Sequence, residues 1–333
     1  MLTEFSEKSF LDTEGLSSLP EKAERLFEQQ INNWKLAAGG YKSLTSVEIK
    51  KFEFGNFSIE AHFNPGRIIS SSAKVDAKSI NERPCFLCPQ NLPAEQKAVN
   101  AFDDYILLVN PFPIFDKHFT IPKLSHTPQL IKLEITSMLT LSSLLGNGYS
   151  VFYNGPKCGA SAPDHMHFQA GNSGFMMIDH DYAELSKSNS KIIFEDSELK
   201  SSFITGCLRN FIAIESNSIS RITSEFERIY SLLQNASSDE EPMLNIICSY
   251  DNSWRLLIFP RIKHRPTYFF EEDDKKILIS PAAVDMGGVL IFPREEDFEK
   301  ITTELIVDVF KQVTFSDDDF YNLAEKMMVN ERG

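Results

Sequence analysis

Four things are scarce or missing in this chain, and each narrows what it can be. No apolar run approaches the roughly 20 residues that a helix needs to cross a bilayer, which excludes a helical membrane protein. The amino terminus, Met-Leu-Thr-Glu-Phe-Ser-Glu-Lys, has no basic stretch followed by an apolar one, so no secretory leader is read there and a cytoplasmic protein is expected. Cysteine is sparse and odd in number: the five at 85, 88, 158, 207 and 248 favour thiols or metal ligands over a disulfide framework. Basic residues are few as well. With 33 Lys and Arg against 47 Asp and Glu, the formal charge of −14 disfavours a nucleic-acid binder, and any phosphate site must be positive locally. What remains is ordinary globular material, 333 residues at 42% hydrophobic content, enough for two modest domains or one elaborated fold.

The stretch richest in chemistry is Asn154-Gly-Pro-Lys157-Cys-Gly-Ala-Ser161-Ala-Pro-Asp-His165-Met-His167-Phe-Gln169-Ala-Gly171. In an extended segment side chains alternate, so His165, His167 and Gln169 share one face and offer it three hydrogen-bonding groups. Upstream, the Gly, Ala, Ser and Pro of residues 155–164 let the backbone approach a ligand and turn N–H groups toward an anion such as a polyphosphate. The bland alternative is a strand whose two histidines pair with carbonyls or water.

Around it the periodicities predict a mixed fold. Ala23, Leu26, Phe27, Ile31 and Trp34 recur at helical spacing from Pro20 to about Ala38, with Gly39-Gly40 ending the run. Alternating runs at 47–54 and 57–63 read as a hairpin turned at Gly55-Asn56. The loop 64–74, with Arg67 and Lys74, reads either as a phosphate-contacting loop or as a solvated connection. Cys85-Phe-Leu-Cys88 is a knuckle that offers two thiolates to zinc, with a redox dithiol as the rival reading. Strands are expected at 105–109, 117–123, 149–153, 243–250 and 254–261, and the segment 176–180 reads as a further one. Helices are expected from Thr127 to about Leu145, from about Ser218 to Leu233 and from Glu295 on, while 185–200 and 235–242 read as surface loops. The order strand, strand, helix in the second half echoes residues 105–153, which suggests a duplicated unit.

These residues carry a family resemblance. His165-Met-His167-Phe-Gln169 with Asn154 upstream, the strand His118-Phe-Thr-Ile-Pro-Lys123 closing at His126, and Cys85-x-x-Cys88 resemble the histidine-triad superfamily. The likeness is to its transferase branch of galactose-1-phosphate uridylyltransferase, diadenosine tetraphosphate phosphorylase and GDP-L-galactose phosphorylase. The runs 242–261, Ser280-Pro-Ala and Gly287-Gly288 resemble the carboxy-terminal half of the GDP-L-galactose phosphorylases. The fold so implied is α+β, a HIT-like antiparallel sheet flanked by helices, with two HIT-like halves in one compact fold. Residues 1–44 would form an amino-terminal arm and helix, 45–200 the catalytic half with the knuckle and the motif, and 201–333 the second half.

The resemblance also implies roles. His167 would be the nucleophile that forms a nucleotidyl-histidine, and Gln169, where the hydrolase branch has histidine, would point to transfer. Asn154 and Ser161 would contact substrate, although Ser161 stands one position away from the corresponding serine of the uridylyltransferases. Arg67, Lys157, Lys117 and Arg261 are the cations expected around the phosphates. A structural zinc would be held by Cys85, Cys88, His126 and His165, with His118 as the next candidate for the fourth ligand. The expected substrates are a nucleotide sugar or dinucleoside polyphosphate plus phosphate, with no nucleic acid and no membrane as partner, and an exposed sheet edge would offer pairing to a second subunit in a homodimer. Hydrolysis of the same bond, or a non-catalytic zinc-stabilised nucleotide-binding protein, are the competing readings.

Overall fold

Alternation along the strands sorts the side chains of one large sheet onto two faces, and that sorting decides where the functional residues lie. The computed structural model describes residues 9–68, 76–235 and 241–329; Lys74, most of the loop 235–242 and residues 1–8 of the amino-terminal arm fall outside them. The strands are β1 (Glu48–Glu53), β2 (Ser58–Phe63), β3 (Ala98–Phe102), β4 (Tyr105–Val109), β5 (His118–Pro122), β6 (Tyr149–Asn154) and β7 (His167–Asn172). They continue with β8 (Ser190–Glu195), β9 (Leu199–Ile204), β10 (Phe211–Ser216), β11 (Leu244–Tyr250), β12 (Trp254–Pro260) and β13 (Val289–Phe292).

Ten of these strands form one sheet in the order β3-β4-β5-β7-β6-β11-β12-β10-β9-β8. Read inward from either edge, the order is the same: β3, β4, β5, β7, β6 from one side and β8, β9, β10, β12, β11 from the other. Each set of five carries a helix between its third and fourth strands in sequence, Ile135–Leu145 in the first and Ile219–Asn235 in the second. The two sets meet where β6 pairs antiparallel with β11, Asn154 opposite Asn245. The fold is therefore α+β and built from two topologically equivalent halves, as the echo in the sequence suggests.

One face of the sheet packs on helices. Val151, Tyr153, Phe168, Ala170, Ile246 and Cys248 join the core that includes Leu26, Leu139 and Phe226 from the helices. The opposite face, with Phe152, Ile247 and Leu257, packs on a second core beneath β1, β2 and β13. Those three strands form their own sheet, with β1 and β2 as the expected hairpin and β13 parallel to β2. Because Phe168 and Ala170 point to the helical side, His167 and Gln169 point to the other.

Several local expectations change. The first helix stops at Asn33, after which Trp34 adopts an extended conformation (φ −119°, ψ 102°), and a second helix runs Lys35–Ser43 through Gly39 and Gly40. Gly40 does not end a helix; it makes room, since a Cβ there would sit 2.2 Å from the Pro111 carbonyl oxygen. The helix expected from Thr127 begins only at Ile135, because Gln129 spends its amide on β6 and β7 and the Ile131 N–H goes to the Glu241 carboxylate at 2.6 Å. Residues 177–188 form a helix and not a strand, with Ile178, Tyr182 and Leu185 buried at helical spacing. The segment 185–200 is not a surface loop: β8 and β9 complete the second half, and Ser201 and Ser202 are buried within it. No described helix is long and apolar enough to cross a membrane.

Candidate active site and metal cluster

Strand β7 presents His167 and Gln169 to the face away from the helices, and its neighbours build the site around them. Thr120 of β5 lies opposite Gln169 and Pro122 opposite His167, while on the other side Phe152 of β6 pairs with Gln169. The His167 ring is 3% exposed, and its Nδ1 lies 2.8 Å from the His165 carbonyl oxygen. A carbonyl only accepts, so Nδ1 carries the proton and Nε2 keeps its lone pair. Burial pulls this histidine down to about 4, which leaves the ring neutral at pH 7. Buried Gln129 holds the backbone from behind: its Oε1 accepts from the His167 N–H at 2.7 Å and its Nε2 donates to the His167 carbonyl at 2.9 Å.

A cavity of about 620 Å³ opens over His167 and Gln169. Of the sequence-predicted substrate residues, Asn154, Ser161 and Arg67 line it. The Asn154 side-chain oxygen is already committed, accepting from the Ala283 N–H at 2.8 Å and from Asn245 Nδ2 at 2.9 Å. Arg67 donates to the Phe112 carbonyl at 2.6 Å, and burial lowers it to about 10, still charged at pH 7. The other expected cations are not in the cavity. Lys157 is exposed outside its lining, and Lys117 pairs with Glu24. Arg261 is buried and spends its guanidinium on Asn245 and on the carbonyls of Pro281, Val313, Lys263 and His264.

The sequence reading missed the part of the lining that comes from the second half. Arg265, His264, Ser280 and Asp285 line the same cavity. Arg265 donates from Nε to Ser280 Oγ at 2.9 Å and stacks its guanidinium on Phe269, 4.0 Å from the ring centroid. Burial, helped by Arg265 and Arg261, depresses His264 to about 3, so it adds no charge. Asp285, buried and raised to about 6, accepts from the Ala282 and Ile291 N–H groups. The signal that could have pointed here was the pair His264-Arg265 just beyond a strand whose counterpart in the first half carries the His-x-His-x-Gln motif. The rest of the lining is largely apolar, with Trp34, Leu36, Phe86 and Phe112, and adds a third guanidinium, Arg83, paired with Asp164 at 2.8 Å. A largely apolar cleft with three guanidinium groups in its lining suits a flat base joined to a phosphate chain.

Beside this cavity the ligand atoms of Cys85, Cys88, His126 and His165 all lie within 4.8 Å of one another. His165 Nε2 sits 2.7 Å from the Lys123 carbonyl, which fixes that nitrogen as the donor and turns Nδ1 toward the sulfurs, 3.3 Å from Cys85 and 3.5 Å from Cys88. His126 Nδ1 lies 3.2 Å from both Cys88 Sγ and His165 Nδ1. A tetrahedral zinc with Zn–S about 2.3 Å and Zn–N about 2.0 Å places its ligand atoms roughly 3.3–3.8 Å apart, so donor types and spacing both fit. Without a cation the pair is uncomfortable: burial and then Cys85 push the Cys88 thiol up to about 12. His118 stands apart from this cluster, bonded instead to Gln169.

Two five-strand units joined into one sheet, the first carrying a His-x-His-x-Gln strand, make a HIT-like fold, and this chain has that fold. Its second half, residues 184–331, matches the domain family described as GDPGP1-like, C-terminal domain, and residues 26–172 match a domain of unknown function, DUF4922. The fold is similar to that of the yeast Ap4A phosphorylase Apa2 in complex with Ap4A, at 17% identity and a TM-score of 0.60, over 90% of this chain and 99% of that one. The same yeast enzyme in complex with AMP gives 16% identity and a TM-score of 0.56 over 87% and 97% of the two chains. No curated protein matches by sequence.

Proposed function

We propose that this protein is a phosphorylase-type nucleotidyltransferase acting on a nucleoside diphosphate sugar or a dinucleoside polyphosphate. The observation that carries the reading is the buried, neutral ring of His167, its Nδ1 proton held by the His165 carbonyl and its Nε2 lone pair left for the cavity. That lone pair attacks the α-phosphorus as the bond to the leaving phosphate oxygen breaks, giving a nucleotidyl-histidine and a sugar phosphate or nucleotide. An oxygen of inorganic phosphate then attacks the same phosphorus, the N–P bond breaks, and a nucleoside diphosphate leaves with His167 neutral again.

Arg67 and Arg265 line the cavity from different halves of the chain and hold the phosphate chain, and the apolar lining takes the base. A zinc bound by Cys85, Cys88, His126 and His165 supplies structural clamping of the knuckle to the strand that carries the nucleophile. The likeness to a yeast Ap4A phosphorylase and the GDPGP1-like domain both support phosphorolysis over other uses of this fold. The five free cysteines fit a reducing compartment, and the cytoplasm is the one we propose. Turnover in the presence of isotopically labelled phosphate tests the reaction: label in the β-position of the nucleotide product is expected, and an unlabelled nucleoside monophosphate would show hydrolysis instead.

A further inference from the structure

His118 is fully buried, lies outside the metal cluster and is not needed as a nucleophile, yet both its ring nitrogens are engaged. The Ile114 N–H points at Nδ1 from 3.2 Å, and Gln169 Oε1 lies 2.9 Å from Nε2. A backbone N–H can only donate, so Nδ1 is the acceptor nitrogen and the ring proton of a neutral imidazole must sit on Nε2. That proton then has one partner, the Gln169 carbonyl oxygen. Had the amide been turned the other way, its NH₂ would meet the Nε2 proton, donor against donor.

We infer that His118 is a positioning residue that locks the Gln169 amide with its oxygen inward and its NH₂ toward the cavity, making Gln169 an obligate donor to a phosphoryl oxygen. The surroundings leave the His118 ring little freedom. Phe115 packs edge-on at 5.2 Å between centroids and Phe152 lies tilted at 6.0 Å. Phe115 can lie there only because residue 171 is glycine, since a Cβ at that position would fall 2.3 Å from the Phe115 ring. The His118 backbone is pinned as well, its carbonyl accepting from Tyr41 OH at 2.9 Å. His118 lies two positions along β5 from Thr120, the residue opposite Gln169, so the contact is a diagonal one on a single face of the sheet.

The consequence bears on transfer against hydrolysis and rests on the function proposed above. An NH₂ group facing the phosphorus donates to the nonbridging oxygens and has no lone pair with which to draw a proton from water. A reversed amide would present its oxygen there, repelling the phosphoryl oxygens and offering an acceptor to an attacking water. His118 thereby sets the ratio of phosphorolysis to hydrolysis without touching substrate.

Two measurements test this, and the first needs no substrate. In the ¹⁵N-histidine-labelled protein at pH 7, two-bond ¹H–¹⁵N correlations report the tautomer of each ring, and the His118 signals are those lost in His118→Gln. A neutral ring protonated at Nε2 is expected; a ring protonated at Nδ1, or at both nitrogens, overturns the inference even if the enzyme is a phosphorylase. The second compares His118→Phe with His118→Gln, whose amide nitrogen can replace Nε2–H as donor. Loss of one such hydrogen bond predicts that the phenylalanine variant, checked for an unaltered fold by circular dichroism, forms nucleotidyl-enzyme about tenfold more slowly and passes more of it to water. The glutamine variant recovers both rate and partition. Wild-type rate and partition in His118→Phe would overturn the positioning role, whereas absence of nucleotidyl-enzyme in wild type would overturn the proposed function and leave the tautomer result to decide this one.

Discussion

Asn154 and Asn245 occupy opposed positions where the two halves of the sheet meet, and Asn245 Nδ2 donates to Asn154 Oδ1 across 2.9 Å. The same Asn154 oxygen accepts from the Ala283 N–H, and Asn245 Oδ1 accepts from Arg261 Nη1 at 2.6 Å. One small polar pair thus ties the strand leading into the motif to the segment around Ala282 and Asp285 that lines the cavity. Replacing Asn154 by alanine strands two buried donors, at a cost of about 1–3 kcal/mol in stability for each group left unsatisfied. Asn154→Ala and Asn245→Ala should therefore be non-additive in a double-mutant cycle of thermal or urea unfolding, with a coupling on the order of 1 kcal/mol or more. Strict additivity would show that the two halves are not joined here.

The metal cluster gives a second prediction. Four converging thiol and imidazole groups of this geometry should carry close to one equivalent of zinc in protein purified without chelators, measured by elemental analysis. Binding of that kind contributes on the order of 10 kcal/mol to folding, so Cys88→Ser should be recovered metal-poor and largely unfolded, and a strong chelator should inactivate the wild type slowly. Less than half an equivalent of zinc, with full activity, would remove the metal from the scheme.

Asp285 predicts a pH dependence of stability. Its folded pKa is raised to about 6 by burial, against an ordinary value of 3.8. Between those values the folded state binds more protons than the unfolded one, so stability from this group is full below about pH 4 and is lost as the pH rises through about 6. Above that the carboxylate is ionised and serves as counter-charge to Arg67 and Arg261. Urea titrations from pH 4.5 to 7.5 should show wild type losing more stability on the way up than Asp285→Asn does. Parallel curves for the two proteins would contradict it.

Much of the first half was legible because its signals are local. The alternation in β1 and β2, the apolar run of β4, and the short spacings of Cys85-x-x-Cys88 and His165-x-His167 each place a side chain without reference to distant residues. The misreadings have physical causes. The apolar run Met176-Met-Ile is of strand length, and only the later Tyr182 and Leu185 reveal helical spacing. β8 and β9 hid behind serine and lysine because Ser201 and Ser202 sit inside the sheet as small residues, Ser201 bonded to Glu225 from the helix above. Asp285 had no local signal, and Arg265 only the echo of the two halves, since it is the pairing of β6 with β11 that brings their half of the chain to the same cavity as His167. Lys157 shows the converse, a cation close to the motif in sequence that the turn between β6 and β7 sends to solvent.

The central claim is that the Nε2 of His167 becomes bonded to phosphorus, and intact-mass analysis addresses it directly. Wild type and His167→Ala would be incubated with a panel of nucleotide sugars and dinucleoside polyphosphates, without added phosphate, and weighed. The expected result is a mass increment of one nucleoside monophosphate residue in wild type, absent from His167→Ala and discharged when phosphate is added. An increment of equal size in the alanine variant, or turnover of a substrate by that variant at the wild-type rate, would contradict it.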